Sequence, residues 1–172
     1  MGASPRLVWT AELVDPAPSE RVLEVGCGHG VLVSLVADRL DSGVVVGIDR
    51  SATMIAAAGR RNRAAVEAGR VRLEAASLVD AELAGQAFEV VVSFDVRAFW
   101  TPPAPEWDVV GRVLAPGGRV IVGCSLMSAD AEGAVTGAVR ELAGSRGFGL
   151  DGVHRGPTAP TPSLALELHR RP

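Results

Sequence analysis

The residues with most chemical content lie in VLEVGCGHG, Val22 to Gly30, where an apolar run ends in the pattern E-x-G-x-G-x-G and a helical pattern begins at Val31. Glycines at Gly26, Gly28 and Gly30 let a backbone turn tightly and approach a ligand without interference from a Cβ. The free amides of a helix N-terminus face the same space. Such a segment makes a crevice for a nucleotide-type cofactor. A second signal stands about twenty residues further on, where the apolar run VVVGID ends in Asp49; a carboxylate there can accept both hydroxyls of a ribose. A dinucleotide fingerprint, G-x-G-x-x-G, needs glycine at the position of Val31, so a nicotinamide oxidoreductase loses its phosphate site. A chain without lysine has no Gly-Lys-Ser/Thr phosphate loop either.

Together with GIDRSATMIAAA, VRLEAAS, FEVVVSFD and RVLAPGGRVIV, in that order and spacing, the glycine segment resembles the class I S-adenosylmethionine-dependent methyltransferases. The resemblance covers nearly everything from Arg21 to His169. It implies a doubly wound, Rossmann-like α/β fold: a mostly parallel seven-stranded sheet, helices on both faces and a C-terminal antiparallel hairpin. It also implies S-adenosylmethionine as cofactor and methyl transfer to a small-molecule acceptor. Position by position, it places Glu24 and the loop of Gly26, Cys27, Gly28 and Gly30 around the methionine end, Asp49 on the ribose, and Arg50 and Met54 beside the adenine. Ala76, Ser77 and Leu78 follow the third strand, with Ser77 where the family usually has an acidic acceptor for the adenine amino group. Ser77→Asp is therefore expected to tighten cofactor binding. Ser93 and Phe94 fall where the family brings methyl donor against acceptor. The segment Phe94 to Trp100 is then expected to hold the acceptor, with Asp95 and Arg97 as the catalytic polar contacts and Phe99 and Trp100 as an apolar wall.

Plainer readings stand beside these. Glu24 can cap backbone amides near the loop, and Cys27 can be a small filler. Asp95 and Arg97 can pair with each other on a solvated loop, while Phe99 and Trp100 divide between crevice wall and core. Trp107, at helical spacing, reads as core; His29 reads as a freely variable loop position, and His154 and His169 as surface residues. A noncatalytic cofactor-binding partner protein with the same fold remains an alternative, since only about twenty residues precede the first strand, where many relatives carry substrate-covering helices. Amino-methylating nucleic-acid enzymes carry an Asn/Asp/Ser-Pro-Pro-aromatic tetrad after the fourth strand; this chain has SFDV there, which argues against a nucleic-acid substrate.

The elements that must position these residues are legible as well. The 172 residues suit one domain, and 48% hydrophobic with 22% charged residues is a globular composition. The formal net charge of −3 offers nothing to counterion-driven binding of nucleic acid or anionic membrane. Two cysteines without metal-ligand spacing, and no apolar run long enough to span a bilayer, read as a cytoplasmic protein without a metal, with a homodimer left open. Short β-branched runs at Val22 to Val25, Val44 to Asp49, Val71 to Ala75, Phe88 to Phe94 and Arg119 to Cys124 alternate with helical stretches, as in a parallel sheet covered on both faces. Helices are expected at Val31 to Leu40, from Ser51 as N-cap, around Trp107 and Leu114, and over Ser128 to Ala143. A closing hairpin is expected from Leu150 to Arg155 and LALELH. Residues 1–20 read as a short helical or extended segment, and 21–172 as a single methyltransferase domain.

Overall fold

The computed structural model describes residues 3–128 and 130–171. Ala129, expected within a helix, and Met1, Gly2 and Pro172, at the ends of the expected segments, lie outside the described residues. The chain runs α1 (Pro5–Val14), β1 (Arg21–Val25), α2 (Val31–Ala37), β2 (Val44–Asp49), α3 (Ala52–Arg61), α4 (Arg63–Glu67), β3 (Val71–Ala75) and β4 (Phe88–Phe94). After a 3-10 turn (Arg97–Phe99) come α5 (Glu106–Val113), β5 (Leu114–Ser125), α6 (Ala131–Gly144), β6 (Phe148–Gly156) and β7 (Ser163–Arg170). The strands form one sheet in the order β3-β2-β1-β4-β5-β7-β6. The first five are parallel, and β7 is antiparallel to both β5 and β6.

Both faces of the sheet are packed, which is why the central strands read as continuous apolar runs. Val22, Val45, Val90 and Val92 face a layer that includes Leu32, Val33 and Val36 of α2 and Ala11 and Val14 of α1. Leu23, Val46, Val91 and Val120 face the other layer with α5 and α6. Trp107 of α5 anchors that second layer: it is fully buried, meets Phe99 edge-on and Phe148 at a tilt, each at 5.3 Å, and donates its indole N–H to the Phe99 carbonyl. At the other end, Arg119 bonds Glu20 and the Val14 carbonyl, tying the C-terminus of α1 to β5. Among the described residues no helix is long and apolar enough to cross a membrane.

Two expected boundaries are revised, and one crossover is irregular. The crossover from β3 to β4, residues 76–87, contains no helix; its Leu78 and Leu83 are buried individually and leave the rest as turns at the sheet edge. The strand expected from Arg119 starts at Leu114, because that residue already pairs with Phe88 before the register shifts around the Pro-Gly-Gly turn. Helix α2 stops at Ala37, three residues short of Leu40, although Leu40 remains buried.

Trp107→Ala is expected to cost about 3–5 kcal/mol, the range for emptying a large aromatic site in a packed core. Urea unfolding would show it as a lower midpoint at unchanged slope.

Candidate active site

The sheet register sets where the chemistry gathers. Val25 lies opposite Ile48 on one side and Ser93 on the other, Asp49 lies opposite Ala75, and Phe94 lies opposite Gly123. The carboxyl ends of β1 to β5 are therefore level, and the segments leaving them open into one crevice of about 960 Å³. That volume is at the upper end of the range for small-molecule sites.

Backbone amides hold the glycine loop at the floor of this crevice. The N–H groups of Gly26 and Cys27 both donate to the Ile48 carbonyl, at 2.8 and 3.0 Å. Gly26 has φ +75°, and a Cβ there would sit 2.5 Å from the Val96 side chain, so the segment after β4 packs directly on the loop. Gly30, the N-cap of α2 at φ +71°, is wedged against Ala58 and Asn62 of the α3 region. Buried Asn62 donates to the carbonyls of Gly30 and Ala58, a loop clamp that the sequence reading passed over. Asp49 completes the frame: one carboxylate oxygen accepts from the Gly28 N–H and the other from the Ser51 N–H, each at 2.9 Å. Each oxygen keeps a free lone pair.

Of the residues expected at the site, Gly26, Asp49, Arg50, Ala76, Ser77, Leu78, Phe94, Asp95 and Arg97 line the crevice. Gly28 meets it through its backbone bond to Asp49, and a Cβ there would find open space. Met54 is half-buried on α3 and outside the lining; its amide donates to the Ser51 hydroxyl that caps that helix.

Five expected residues lie outside the crevice lining. Glu24 shares the strand face of Val22 by the two-residue alternation, so it turns toward α2 and is only 4% exposed. Burial pushes its carboxyl up to about 8; a backbone hydrogen bond from Val33 opposes the rise and the charge of Asp49 adds to it. Cys27 is buried on the same side, and burial raises its thiol so far that no thiolate forms at neutral pH. Ser93 is fully buried with no partner for its hydroxyl. Phe99 is a correction to the expected substrate wall: it is 0% exposed and packs edge-on against Trp107. Trp100 is half-buried against the same core and also outside the lining.

The neighbours of Asp95 are a further correction. It pairs with Arg6 of α1 and with Ser125 at the end of β5, not with Arg97. The Ser125 N–H donates to it at 2.7 Å, the Ser125 hydroxyl at 3.0 Å and Arg6 Nη1 at 3.2 Å. Three of the roughly four acceptor positions of the carboxylate are thus taken by protein donors, which leaves little capacity for a general base. The sequence reading also missed Asp80, whose carboxylate accepts from the Ser77 hydroxyl at 2.5 Å and which lines the same crevice. Its spacing of three from Ser77 was the available signal, that of a side-chain turn. Thr101, Pro103 and Glu106 extend the wall beyond Arg97. His29 is exposed, whereas His154 bonds Glu167 and His169 bonds Asp151 on the hairpin, away from the crevice. Among the described residues no group of three or more His, Cys, Asp or Glu could hold a metal ion.

Comparison with known proteins points the same way. Residues 22–118 match the family described as a methyltransferase domain. A ubiquinone/menaquinone biosynthesis C-methyltransferase of Geotalea daltonii is 32% identical over 116 residues, 66% of this chain and 49% of that protein. An arsenite methyltransferase of Halobacterium salinarum is 34% identical over 107 residues, 62% of this chain and 27% of that protein. The chain spans about half the length, or less, of such curated relatives. Among solved structures, a TehB-like SAM-dependent methyltransferase of Corynebacterium glutamicum superposes with a TM-score of 0.72 at 18% identity, covering 96% of this chain and 88% of that one. The cyclase SpnF superposes with a TM-score of 0.79 at 16% identity, over 96% and 81%.

The buried Glu24 carries a pH dependence. From the ordinary 4.5 up to about 8, the folded chain holds a proton that the unfolded chain has released, so stability falls as pH rises through that window. Glu24→Gln is expected to gain on the wild type as urea unfolding is moved from about pH 5 to about pH 8.5.

Proposed function

Because this chain belongs to the methyltransferase-domain family, we propose that its crevice binds S-adenosylmethionine and that the protein transfers the methyl group to a small-molecule acceptor. The observation that carries this reading is the Asp49 carboxylate, fixed by Gly28 and Ser51 with one lone pair free on each oxygen, as a ribose diol requires. The cofactor supplies a methyl group already activated on a sulfonium. Transfer forms a bond from the acceptor's lone pair to the methyl carbon as the carbon–sulfur bond breaks, its electrons staying on sulfur.

The protein's part is orientation and exclusion of water, an effect worth up to roughly 7–11 kcal/mol. Asp49 holds the ribose, and the open side of Gly28 admits the methionine end. Arg50, Ala76, Ser77 and Leu78 surround the adenine. The acidic acceptor absent at Ser77 is supplied by Asp80: its carboxylate engages the Ser77 hydroxyl and stands beside it on the crevice wall. This reverses the expectation for Ser77→Asp, since a second carboxylate there would meet Asp80 and repel it. Phe94 lies under the reacting end. Glu24 stands behind the loop, buried on the α2 side, while its neighbours Val25 and Gly26 reach the crevice. A small uncharged or anionic metabolite suits a chain of net charge −3 better than nucleic acid does. The reducing cytoplasm suits its two free, buried cysteines.

Calorimetry with S-adenosylhomocysteine tests the cofactor site. Asp49→Ala, if folded, is expected to weaken binding about tenfold or more, the loss of a charge-assisted bond of about 1.5–3 kcal/mol. Unchanged affinity would sink the assignment. Asp80→Asn and Ser77→Asp are each expected to weaken binding severalfold; tighter binding by Ser77→Asp would remove Asp80 from the site. Transfer of labelled methyl from the cofactor to a metabolite extract tests the reaction, and binding without turnover would favour a noncatalytic cofactor-binding protein.

A further inference from the structure

The charges that line the crevice are unequally met. Its lining includes four carboxylates, Asp49, Asp80, Asp95 and Glu106, and two guanidinium groups, Arg50 and Arg97. Asp49 accepts two backbone amides, Asp80 accepts the Ser77 hydroxyl, and Asp95 accepts the Ser125 amide and hydroxyl together with Arg6. Glu106 has its Oε2 covered by the protein. Among the described residues, by contrast, no ion pair engages Arg50 or Arg97. Arg50 follows Asp49 at the end of β2, whereas Arg97 stands on the β4 side, exposed and part of the lining. The backbone beneath Arg97 is firmly held. Val96 before it packs on the glycine loop, Phe99 is buried edge-on against Trp107, and the Trp100 N–H donates to the Arg97 carbonyl at 3.0 Å.

We propose that Arg97 is an acceptor-binding residue, and that the acceptor carries a carboxylate or phosphate group taken by its guanidinium. Arginine presents five N–H donors in a planar fork that matches such anions two bonds at a time. A guanidinium on a convex surface is served by water, but one in a cleft with uncharged, low-dielectric walls has its field focused toward an incoming anion. Ala98, Thr101, Pro103, Ala104 and Pro105 supply such walls beside Arg97. The sequence offered Asp95 and Arg97 together as polar contacts; the structure engages Asp95 with Arg6 and Ser125 and leaves the recognition to Arg97. The place is also right. In a doubly wound sheet the ligand lies outside the carboxyl ends of the strands where the strand order reverses, here between β1 and β4. With the ribose on Asp49 and the adenine beside Ser77 and Asp80, the β4 side of the crevice is left to the acceptor. The inference rests on reading the crevice as an S-adenosylmethionine site.

The test uses the full chain saturated with S-adenosylhomocysteine, whose binding is first measured by calorimetry. Benzoate, phenyl phosphate and the neutral benzamide are titrated while the side-chain δ-methylene signals of isotope-labelled arginine and the Thr101 methyl signal are followed by NMR; the Arg97 signal is identified by its loss in Arg97→Gln. The expected result is a saturable shift of the Arg97 signal with benzoate or phenyl phosphate and none with benzamide. The preferred anion distinguishes a carboxylate from a phosphate acceptor. Its affinity, read from Thr101, should fall about tenfold or more in Arg97→Gln, the loss of a charge-assisted pair. An Arg97 signal that does not move, an equal response to benzamide, or unchanged anion affinity in Arg97→Gln would overturn the proposal. The cofactor has a carboxylate of its own, so Arg97→Gln is also titrated with S-adenosylhomocysteine and with methylthioadenosine, which lacks that group. Weakening of the first alone would assign Arg97 to the cofactor and overturn the proposal; equal ratios to wild type for both support it. Failure of S-adenosylhomocysteine to bind the wild type would instead overturn the reading on which it rests.

Discussion

Everything at the crevice depends on β1, β2, β3 and β4 ending level with one another. Parallel strands joined by crossovers all point the same way, so their carboxyl ends gather at one edge, and the register brings Gly26, Asp49, Ala76 and Phe94 side by side. A slip of one residue in β1 would exchange the faces of Glu24 and Val25, moving a carboxyl into the apolar layer that the valine leaves. Burial on both faces makes that slip expensive, so the hydrophobic core also holds the site in place.

Within that frame the polar groups divide into two sets. On the β2/β3 side, Asp49 reads the loop through backbone amides, and Ser77 and Asp80 share a turn that no helix covers. On the β4/β5 side, Asp95, Ser125 and Arg6 form a second network that draws in α1. The floor of Val25, Gly26 and Phe94 lies in the same crevice lining as Asp49, Ser77, Asp80 and Asp95. Such a partition suits a bimolecular reaction, in which two ligands must be oriented independently and brought together end to end.

A shared fold does not by itself fix the chemistry. Structures within a TM-score of 0.72 to 0.79 of this chain include a methyltransferase and a cyclase. The fold is therefore common ground, and function resides in the sites built on it. In this chain one wall of such a site is the segment from Asp95 to Glu106, whose left-handed Asp95 and buried Phe99 accompany a backbone from which Arg97, Thr101 and Pro103 line the crevice.

Elements set by local pattern were legible in the sequence. The five parallel strands follow from β-branched runs, the start of α3 from Ser51, whose hydroxyl caps Met54, and the tight loop after β1 from glycines in the left-handed region. The place of Asp49 at the crevice was legible because it requires only a position in the chain, at the end of the second strand. Partnerships between side chains distant in sequence were not. Arg6 and Asp95 are 89 residues apart and Arg6 and Ser125 are 119, so no spacing rule relates them. The inward turn of Phe99 depended on the aromatic neighbours that Trp107 and Phe148 provide. Glu24 belongs to both: its position beside the glycines was plain, but the face it takes was settled by the strand's alternation within a sheet buried on both sides. Periodicity and turn chemistry act within a few residues, and the sequence determines them alone; which charge meets which across the crevice depends on packing, and only the tertiary structure decides it.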